Sequence, residues 1–182
     1  LGWIFRTNSD TEVLLKSYRQ WGIKCLDKLN GMFAFAIYDG KTIFLARDIA
    51  GEKPLYYRSR PFAFASEAKA LGWKCEELPP AHYLLVDVDN KNGVGKPQCW
   101  WKFKPREINL KTAQEELEWL LEDSVKLRTR TDVPYALYYS GGIDSSLIDS
   151  FHDFNYKFTY ENGNYQKEFN TMFPQIVWYL DY

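Results

Sequence analysis

Two hydrophobic rhythms divide this chain, and the change between them constrains its fold more than any other feature. Up to about residue 103 the apolar residues mostly alternate. Phe33, Phe35 and Ile37 in "MFAFAIYDGKTIFLARD" take turns with smaller residues, as on a strand with one face in a core. Asp39-Gly40 then interrupts the run with a strong hairpin signal. Further strands are predicted at 42–46, 55–58 and 61–65, followed by a short helix from Ser66 and a strand in "HYLLVDVDNKNG". Ahead of them, "SDTEVLLKSYRQWG" predicts a helix. Ser9 is its N-cap, Glu12 completes a capping box, and Val13, Leu14, Tyr18 and Trp21 form the apolar face up to a stop at Gly22. Ile23, Leu26 and Leu29 continue into a second short helix ended by Asn30-Gly31.

After "CWWKFKPRE" the period changes. "KTAQEELEWLLEDSVKLRTR" sets Leu117, Leu120, Leu121 and Val125 at helical spacing with charges opposite. An apolar strand at 135–139, a glycine turn and a helix from near Asp144 follow, which is how a parallel α/β domain reads. The expected fold is therefore an α+β segment at 1–104 followed by an α/β segment at 105–182, with the boundary at Lys104-Pro105.

Composition narrows the function classes. The net charge is −1, with no basic block interleaved with aromatics, so no electrostatic footprint for nucleic acid or an anionic membrane is present. No apolar run approaches membrane-spanning length, and "LGWIFRTNSD" lacks the form of a signal peptide. Cys25, Cys75 and Cys99 are far apart and odd in number, which argues against a disulfide framework or a zinc site and for a reducing, cytoplasmic setting.

The stretch "YALYYSGGIDSSLIDSF" carries the chemistry. Gly141 and Gly142 free the backbone to expose a row of N–H groups, and the helix that follows adds its positive end. Ser140, Ser145 and Ser146 bring hydroxyls, so the turn suits phosphate, and a pyrophosphate in particular. Asp144 beside phosphates is repulsive unless a cation lies between them, and Mg²⁺ resolves the conflict. No lysine follows the glycines, so this is not a Walker-type loop. The plain alternative is a tight turn with a capped helix. The Asp144-Ser145 spacing after an apolar strand favours nucleotide binding.

"SGGIDSS" resembles the signature loop of the PP-loop ATP pyrophosphatases. The upstream run from "SDTEVLLKSYRQWG" through "RDIAGEKPLYY" to "FAFASEAKAL" resembles the later part of a class II glutamine amidotransferase domain. The two occur in this order in the glutamine-hydrolysing asparagine synthetases. The resemblance implies an α+β amidotransferase-type sandwich (α-β-β-α) followed by an α/β PP-loop domain. It also implies a carbon–nitrogen ligase that activates aspartate with ATP and Mg²⁺ as an acyl-adenylate and amidates it with ammonia from glutamine. Small-molecule substrates are then the expected partners, and a homodimer is left open.

Residue by residue, Asp10 matches the carboxylate that holds the α-amino group of glutamine, and it also reads as a first-turn acid complementing the helix dipole. Ser140, Gly141, Gly142, Asp144 and Ser145 match the pyrophosphate loop, with Asp144 as the magnesium ligand. Tyr138 and Tyr139 stand where the family lines its adenosine pocket with aliphatic residues. Tyr160, in "FTYENGN", belongs to the next strand, whose end borders the adenine. Asp181 stands either as an acid near the acyl-adenylate, taking a proton from the attacking ammonia, or as an ordinary loop acid.

The departures shape the alternatives. Position 1 is Leu rather than the nucleophilic cysteine, and the family's arginine loop and Asn-Gly-Glu segment would come before it, so the chain is expected to be part of a longer one. Cys25 cannot stand in, since it lies in an apolar helical pattern. The link from Ser150 to Phe158 reads as too short for a helix-and-strand crossover, which predicts breaks near 150–157 and 163–173. Rival readings are an adenylating relative of the β-lactam-forming or peptide-cyclising type and a catalytically silent binding homologue. His82 and His152 receive no catalytic role. The charges of "RDIAGEKPLYY" with Ser66-Glu67 are expected to fix the domain junction, and Trp100-Trp101 to plug it.

Overall fold

The computed structural model describes residues 2, 4–89, 94–161 and 164–169, those from Tyr160 onward as backbone. The chain divides into two compact units, Leu1–Pro105 and Arg106–Tyr182. Among the described residues no helix is long and apolar enough to cross a membrane.

The first unit opens with helix α1, Asp10–Trp21. The Ser9 hydroxyl accepts the Thr11 N–H at 3.2 Å, as an N-cap should. Glu12 does not complete the expected box. The Ser9 N–H goes to the Thr7 hydroxyl at 3.2 Å, and Glu12 reaches past it to the N–H groups of Arg6 and Thr7. Gly22, at φ 57°, stops the helix, and its N–H bonds to Tyr18 O. A 3₁₀ turn, Gly22–Lys28, then buries Cys25 and Leu26.

Strands β1 (Ala34–Tyr38) and β2 (Thr42–Arg47) pair antiparallel across the Asp39-Gly40 turn. There Gly40 has φ 99°, and the Asp39 carboxylate accepts the N–H groups of Lys41 and Thr42 at 3.0 and 2.7 Å. Strands β3 (Tyr56–Ser59), β4 (Phe62–Ala65), β5 (Glu76–Glu77), β6 (His82–Asp87) and β7 (Gln98–Cys99) complete two sheets, ordered β1-β2-β6-β7 and β4-β3-β5. The short helix expected from Ser66 is a 3₁₀ turn, Ala68–Ala70.

The period of two decides the layers. On β2, Leu45 joins Leu55, Tyr57, Leu78, Leu84 and Val86 in a core between the sheets. Its neighbours Phe44 and Ala46 face the other way, into a core with Cys25, Leu26 and Ile37 under α1. The first sheet thus lies between a helical layer and the second sheet. Phe44 and Leu45 are fully buried, each contributing on the order of 2–3 kcal/mol.

The end of β2 is charged yet buried. Arg47 and Asp48 are 5% and 1% exposed. The Arg47 guanidinium donates to the carbonyls of Lys53, Leu78 and Gly51, each at 2.7 Å, and pairs with Glu77 at 2.6 Å. Asp48 accepts N–H groups of Phe33, Glu52 and Lys53 at 3.2, 2.9 and 3.0 Å. Burial pushes the Asp48 carboxyl up, but these donors outweigh it and hold the group below its ordinary range. Arg47 and Asp48, two of the charges expected to secure a domain junction, are therefore spent inside the first unit. Trp100 is corrected in the same way: its indole N–H donates to Arg47 O at 3.2 Å and its ring stacks on Phe33 within that unit. Trp101 is 41% exposed.

The second unit holds helix α2 (Leu110–Arg128), strand β8 (Ala136–Tyr138), helix α3 (Ile143–Ser150), strand β9 (Tyr156–Glu161) and strand β10 (Asn164–Phe169). The apolar stripe of α2 forms, but of its four expected residues only Val125 is buried, while Leu117 and Leu120 are 56% and 52% exposed. Strand β9 pairs parallel to β8, with Ala136 opposite Tyr156, and β10 pairs antiparallel to β9. The link after Ser150 is therefore long enough. Measured from Tyr138, the connection exceeds the roughly dozen residues that a parallel crossover needs, because it includes all of α3. Residues 150–157 lie within this β8–α3–β9 connection. The second expected break, at 163–173, falls partly on residues outside those described.

A Cβ on Gly51 would meet Pro80 Cγ at 2.7 Å, at a backbone φ of +69°. Gly72 has a similar φ of +76° but open space around it. Gly51→Ala is expected to destabilise the protein by about 2–4 kcal/mol and Gly72→Ala by about 1 kcal/mol. Urea unfolding of both variants checks this, and equal losses would show that the close approach to Pro80 contributes nothing.

Candidate functional site

In the first unit, Asp10 is the opening residue of α1, exposed, at the edge of a cleft of about 550 Å³. The cleft runs between the start of α1 and β1, and Lys53, Pro54 and Ser66 line its other side. Asp10 lies at the helix end where a carboxylate is favoured by the dipole. Its one side-chain partner among the described residues is the Thr11 hydroxyl, at 3.4 Å. The carboxylate is thus free to take a cationic group from a ligand.

Lys53 and Ser66 were not singled out as cleft residues from the sequence. The signal was present in "GEKPLYY" and "FASEAKAL", but their meeting depends on the loop at 51–53 held by Arg47 and Asp48 and on the position of β4 in the second sheet. Lys53 is gripped on both sides of its peptide, its N–H by Asp48 and its carbonyl by Arg47. Its side chain is left exposed at the cleft.

Glu12 fastens the turn leading into Asp10. Its carboxylate accepts the Arg6 N–H at 3.0 Å, and both the Thr7 N–H and the Thr7 hydroxyl at 2.7 Å. It also pairs with Lys16 at 2.5 Å, and Lys16 in turn donates to Ile4 O and lies 4.3 Å from the centre of the Phe5 ring. The Lys16 ammonium, the Arg6 N–H and the Thr7 hydroxyl together hold the Glu12 carboxyl at about 2, against an ordinary 4.5.

Cys25 offers no nucleophile. It is fully buried, and burial, with the Asp27 charge, pushes its thiol up. The His82 Nδ1–H donates to Pro80 O, 2.7 Å away. His152 bonds the Tyr135 hydroxyl and packs edge-on to Phe154.

In the second unit, β8 leads into the glycine turn and then α3. Gly141 takes φ +74°, and Gly142 is the N-cap, with no side-chain cap on the helix. The first N–H with an α-helical acceptor is that of Ser146, to Gly142 O at 3.0 Å. The N–H groups of Ile143, Asp144 and Ser145 therefore belong to the uncapped first turn, which is an anion-binding arrangement. Asp144 lies in that turn and is exposed.

The hydroxyls are arranged differently from a plain fringe of donors. Ser145 is buried, its hydroxyl donating to Gly142 O at 3.2 Å and lying 3.1 Å from Ser140 Oγ. Ser146 Oγ lies 3.1 Å from the Tyr139 hydroxyl. Ser145 and Ser146 thus brace the turn from inside, and Ser140 joins them, its hydroxyl also accepting the Gly142 N–H at 3.4 Å. Tyr139 N–H donates to Phe158 O at 2.7 Å, tying the turn to β9, while Tyr138 is 76% exposed with its ring 5.9 Å from that of Phe158. The side chain of Tyr160 and the whole of Asp181 lie outside the described residues.

Among the described residues no group of three His, Cys, Asp or Glu could hold a metal ion. A lone carboxylate at an anion-binding turn nevertheless fits Mg²⁺, which is commonly held by one or two carboxylates and completed by phosphate oxygens.

Comparison with known proteins adds to this geometry. A family model described as a glutamine amidotransferase domain matches residues 1–95, and one described as asparagine synthase matches residues 116–158. The chain is 39% identical to the glutamine-hydrolysing asparagine synthetase B of Escherichia coli strain K12 over 153 residues, 80% of this chain and 27% of that protein. It is 38% identical over 159 residues to a probable asparagine synthetase of Schizosaccharomyces pombe, covering 80% and 28%. It is 34% identical over 218 residues to a putative asparagine synthetase of Methanocaldococcus jannaschii, covering 97% and 42%. The chain thus spans between 27% and 42% of the length of these curated relatives.

The Glu12 carboxyl yields a pH prediction. Because its folded value is depressed, its contribution to stability is complete above about 4.5 and is lost as pH falls toward about 2. Thermal melts of the wild type should therefore lose Tm across that window. Glu12→Gln should start lower at pH 7 and fall less steeply. Parallel profiles would show that the Glu12 charge does not stabilise the fold.

Proposed function

Because the chain belongs to the asparagine synthase family, as a glutamine amidotransferase domain followed by a short asparagine synthase segment, we propose that it is part of a cytoplasmic, glutamine-hydrolysing asparagine synthetase. In this reading residues 1–104 are the later part of a class II amidotransferase domain of the α-β-β-α sandwich type. Residues 105–182 are the opening of a PP-loop domain that binds ATP. The observation that carries the reading is the uncapped first turn of α3 after a glycine at φ +74°, at the end of a strand in a parallel pair.

Each unit has a defined task. Asp10 takes the α-amino group of glutamine by charge and hydrogen bonding, in a cleft large enough for an amino acid. The N–H groups of Ile143, Asp144 and Ser145, with the Ser140 hydroxyl, hold the β and γ phosphates of ATP as the leaving pyrophosphate. Mg²⁺, held by Asp144 and arriving with the nucleotide, would neutralise phosphate charge that the carboxylate otherwise repels. The aspartate side-chain carboxylate attacks the α-phosphorus, the bond to the bridging oxygen breaks, and pyrophosphate departs. Ammonia then adds to the acyl carbon, gives up a proton to a base or to water, and AMP leaves, giving the amide. Fixed N–H dipoles favour the first step because they need no reorganisation as charge shifts onto the leaving group.

Asp144→Ala is the direct test. The wild-type chain is expected to bind ATP at least about tenfold more tightly with Mg²⁺ than with EDTA, a difference of about 1.4 kcal/mol. The variant should bind both forms alike. Unchanged magnesium dependence in the variant, measured by calorimetric titration, would remove Asp144 from the nucleotide site. In the full-length enzyme the same substitution should abolish aspartate-dependent pyrophosphate release.

A further inference from the structure

The hydrogen bonds around Glu12 form a chain that ends at the backbone N–H groups of Ser9 and Thr11, on either side of Asp10. Lys16 Nζ meets Glu12 Oε1 at 2.5 Å, and Glu12 Oε2 accepts the Thr7 hydroxyl at 2.7 Å. That hydroxyl oxygen accepts the Ser9 N–H at 3.2 Å, and the Ser9 hydroxyl caps the Thr11 N–H at 3.2 Å. Asp10 lies between the last two residues. Its own carboxylate is exposed and touches the Thr11 hydroxyl at 3.4 Å, so packing does little to aim it. Its direction is set by the backbone of residues 7–11, and that backbone is held through Glu12.

We propose that Glu12 is a positioning residue for Asp10, fixing the carboxylate that receives the α-amino group of an amino-acid ligand. The inference rests on the reading of Asp10 given above. Glu12 itself does not line the cleft, as Asp10, Thr11, Val13 and Leu14 of the same helix do, so it acts through Asp10 and not on the ligand. Its carboxyl, held at about 2, stays charged through the physiological range, as an acceptor of several donors must. A ligand without an α-amino group gains nothing from Asp10 and should be indifferent to Glu12.

The test compares L-glutamine with 4-carbamoylbutanoate, which is glutamine without its amino group. Binding to the wild-type chain, Asp10→Asn, Glu12→Gln and the double variant is followed by NMR titration. Glu12→Gln is expected to raise the Kd for glutamine about tenfold and to leave that for 4-carbamoylbutanoate unchanged. In the Asp10→Asn background it should add no further loss, since the two residues act as one unit. Equal weakening of both ligands, an additive double variant, or unchanged glutamine binding would overturn the proposal. Asp10→Asn binding glutamine as the wild type does would sink the Asp10 reading itself, as would a wild-type chain that binds no glutamine. Should Glu12→Gln fail to fold, Thr7→Val cuts the same chain at its middle. A selective loss of about threefold for glutamine is then expected, and a uniform loss or none counts against the proposal.

Discussion

The first unit depends on two adjacent charges that water does not reach. Burying a guanidinium or a carboxylate costs several kcal/mol per ion unless partners replace its hydration. Arg47 and Asp48 meet that cost with backbone groups from three separate stretches: the start of β1 at Phe33, the loop at 51–53, and Leu78 after β5. The backbone of Asp48 adds to this, its N–H bonding Phe33 O and its carbonyl accepting from Gly51 and Ala81. Removing either charge would leave its partners stranded in a place that cannot be hydrated. The loop between β2 and β3 is therefore tied at Gly51, Glu52 and Lys53, and this sets Lys53 and Pro54 on the cleft opposite Asp10.

This arrangement explains why the cleft is half legible from sequence. Ser9, Asp10 and Gly22 have local reasons for what they do, since a cap, a first-turn acid and a stop act within a few residues of themselves. Lys53 and Ser66 have none. Lys53 reaches the cleft through a loop held by hydrogen bonds spanning up to 31 residues, such as that from Arg47 to Leu78, and Ser66 reaches it from the end of β4 in the second sheet. A charged pair after an apolar strand is ordinarily read as surface. The structure buries both members because the second sheet covers the end of β2. Glu12 shows the same limit on a smaller scale: the spacing for a capping box is present, yet its carboxylate bonds Arg6 and Thr7, which local spacing alone does not single out.

In the second unit the local chemistry goes further. A turn with two glycines before a helix is specified almost wholly by its own residues, because Gly141 needs φ +74° and a helix start always leaves N–H groups over. What the residues did not disclose is the division of labour among the serines. The Ser145 hydroxyl is satisfied by Gly142 O within the turn, and Ser146 is drawn to Tyr139, so both stiffen the loop. The crossover is legible only when α3 is included, since that helix itself carries the chain from β8 across to β9.

Strands β5, β7 and β10 carry too little periodicity of their own, but the sequence by itself determined the longer helices, most of the strands, the hairpin at Asp39-Gly40, the cap at Ser9 and the glycine turn. These follow from side-chain periodicity and backbone preference, which act over a few residues and survive without the rest of the fold. Only the tertiary structure decided which face of β2 meets which core, that Arg47 and Asp48 lie inside, and which residues share the cleft with Asp10. Those outcomes depend on distant segments excluding water together, and the worth of a charge or a hydroxyl reverses once water is gone.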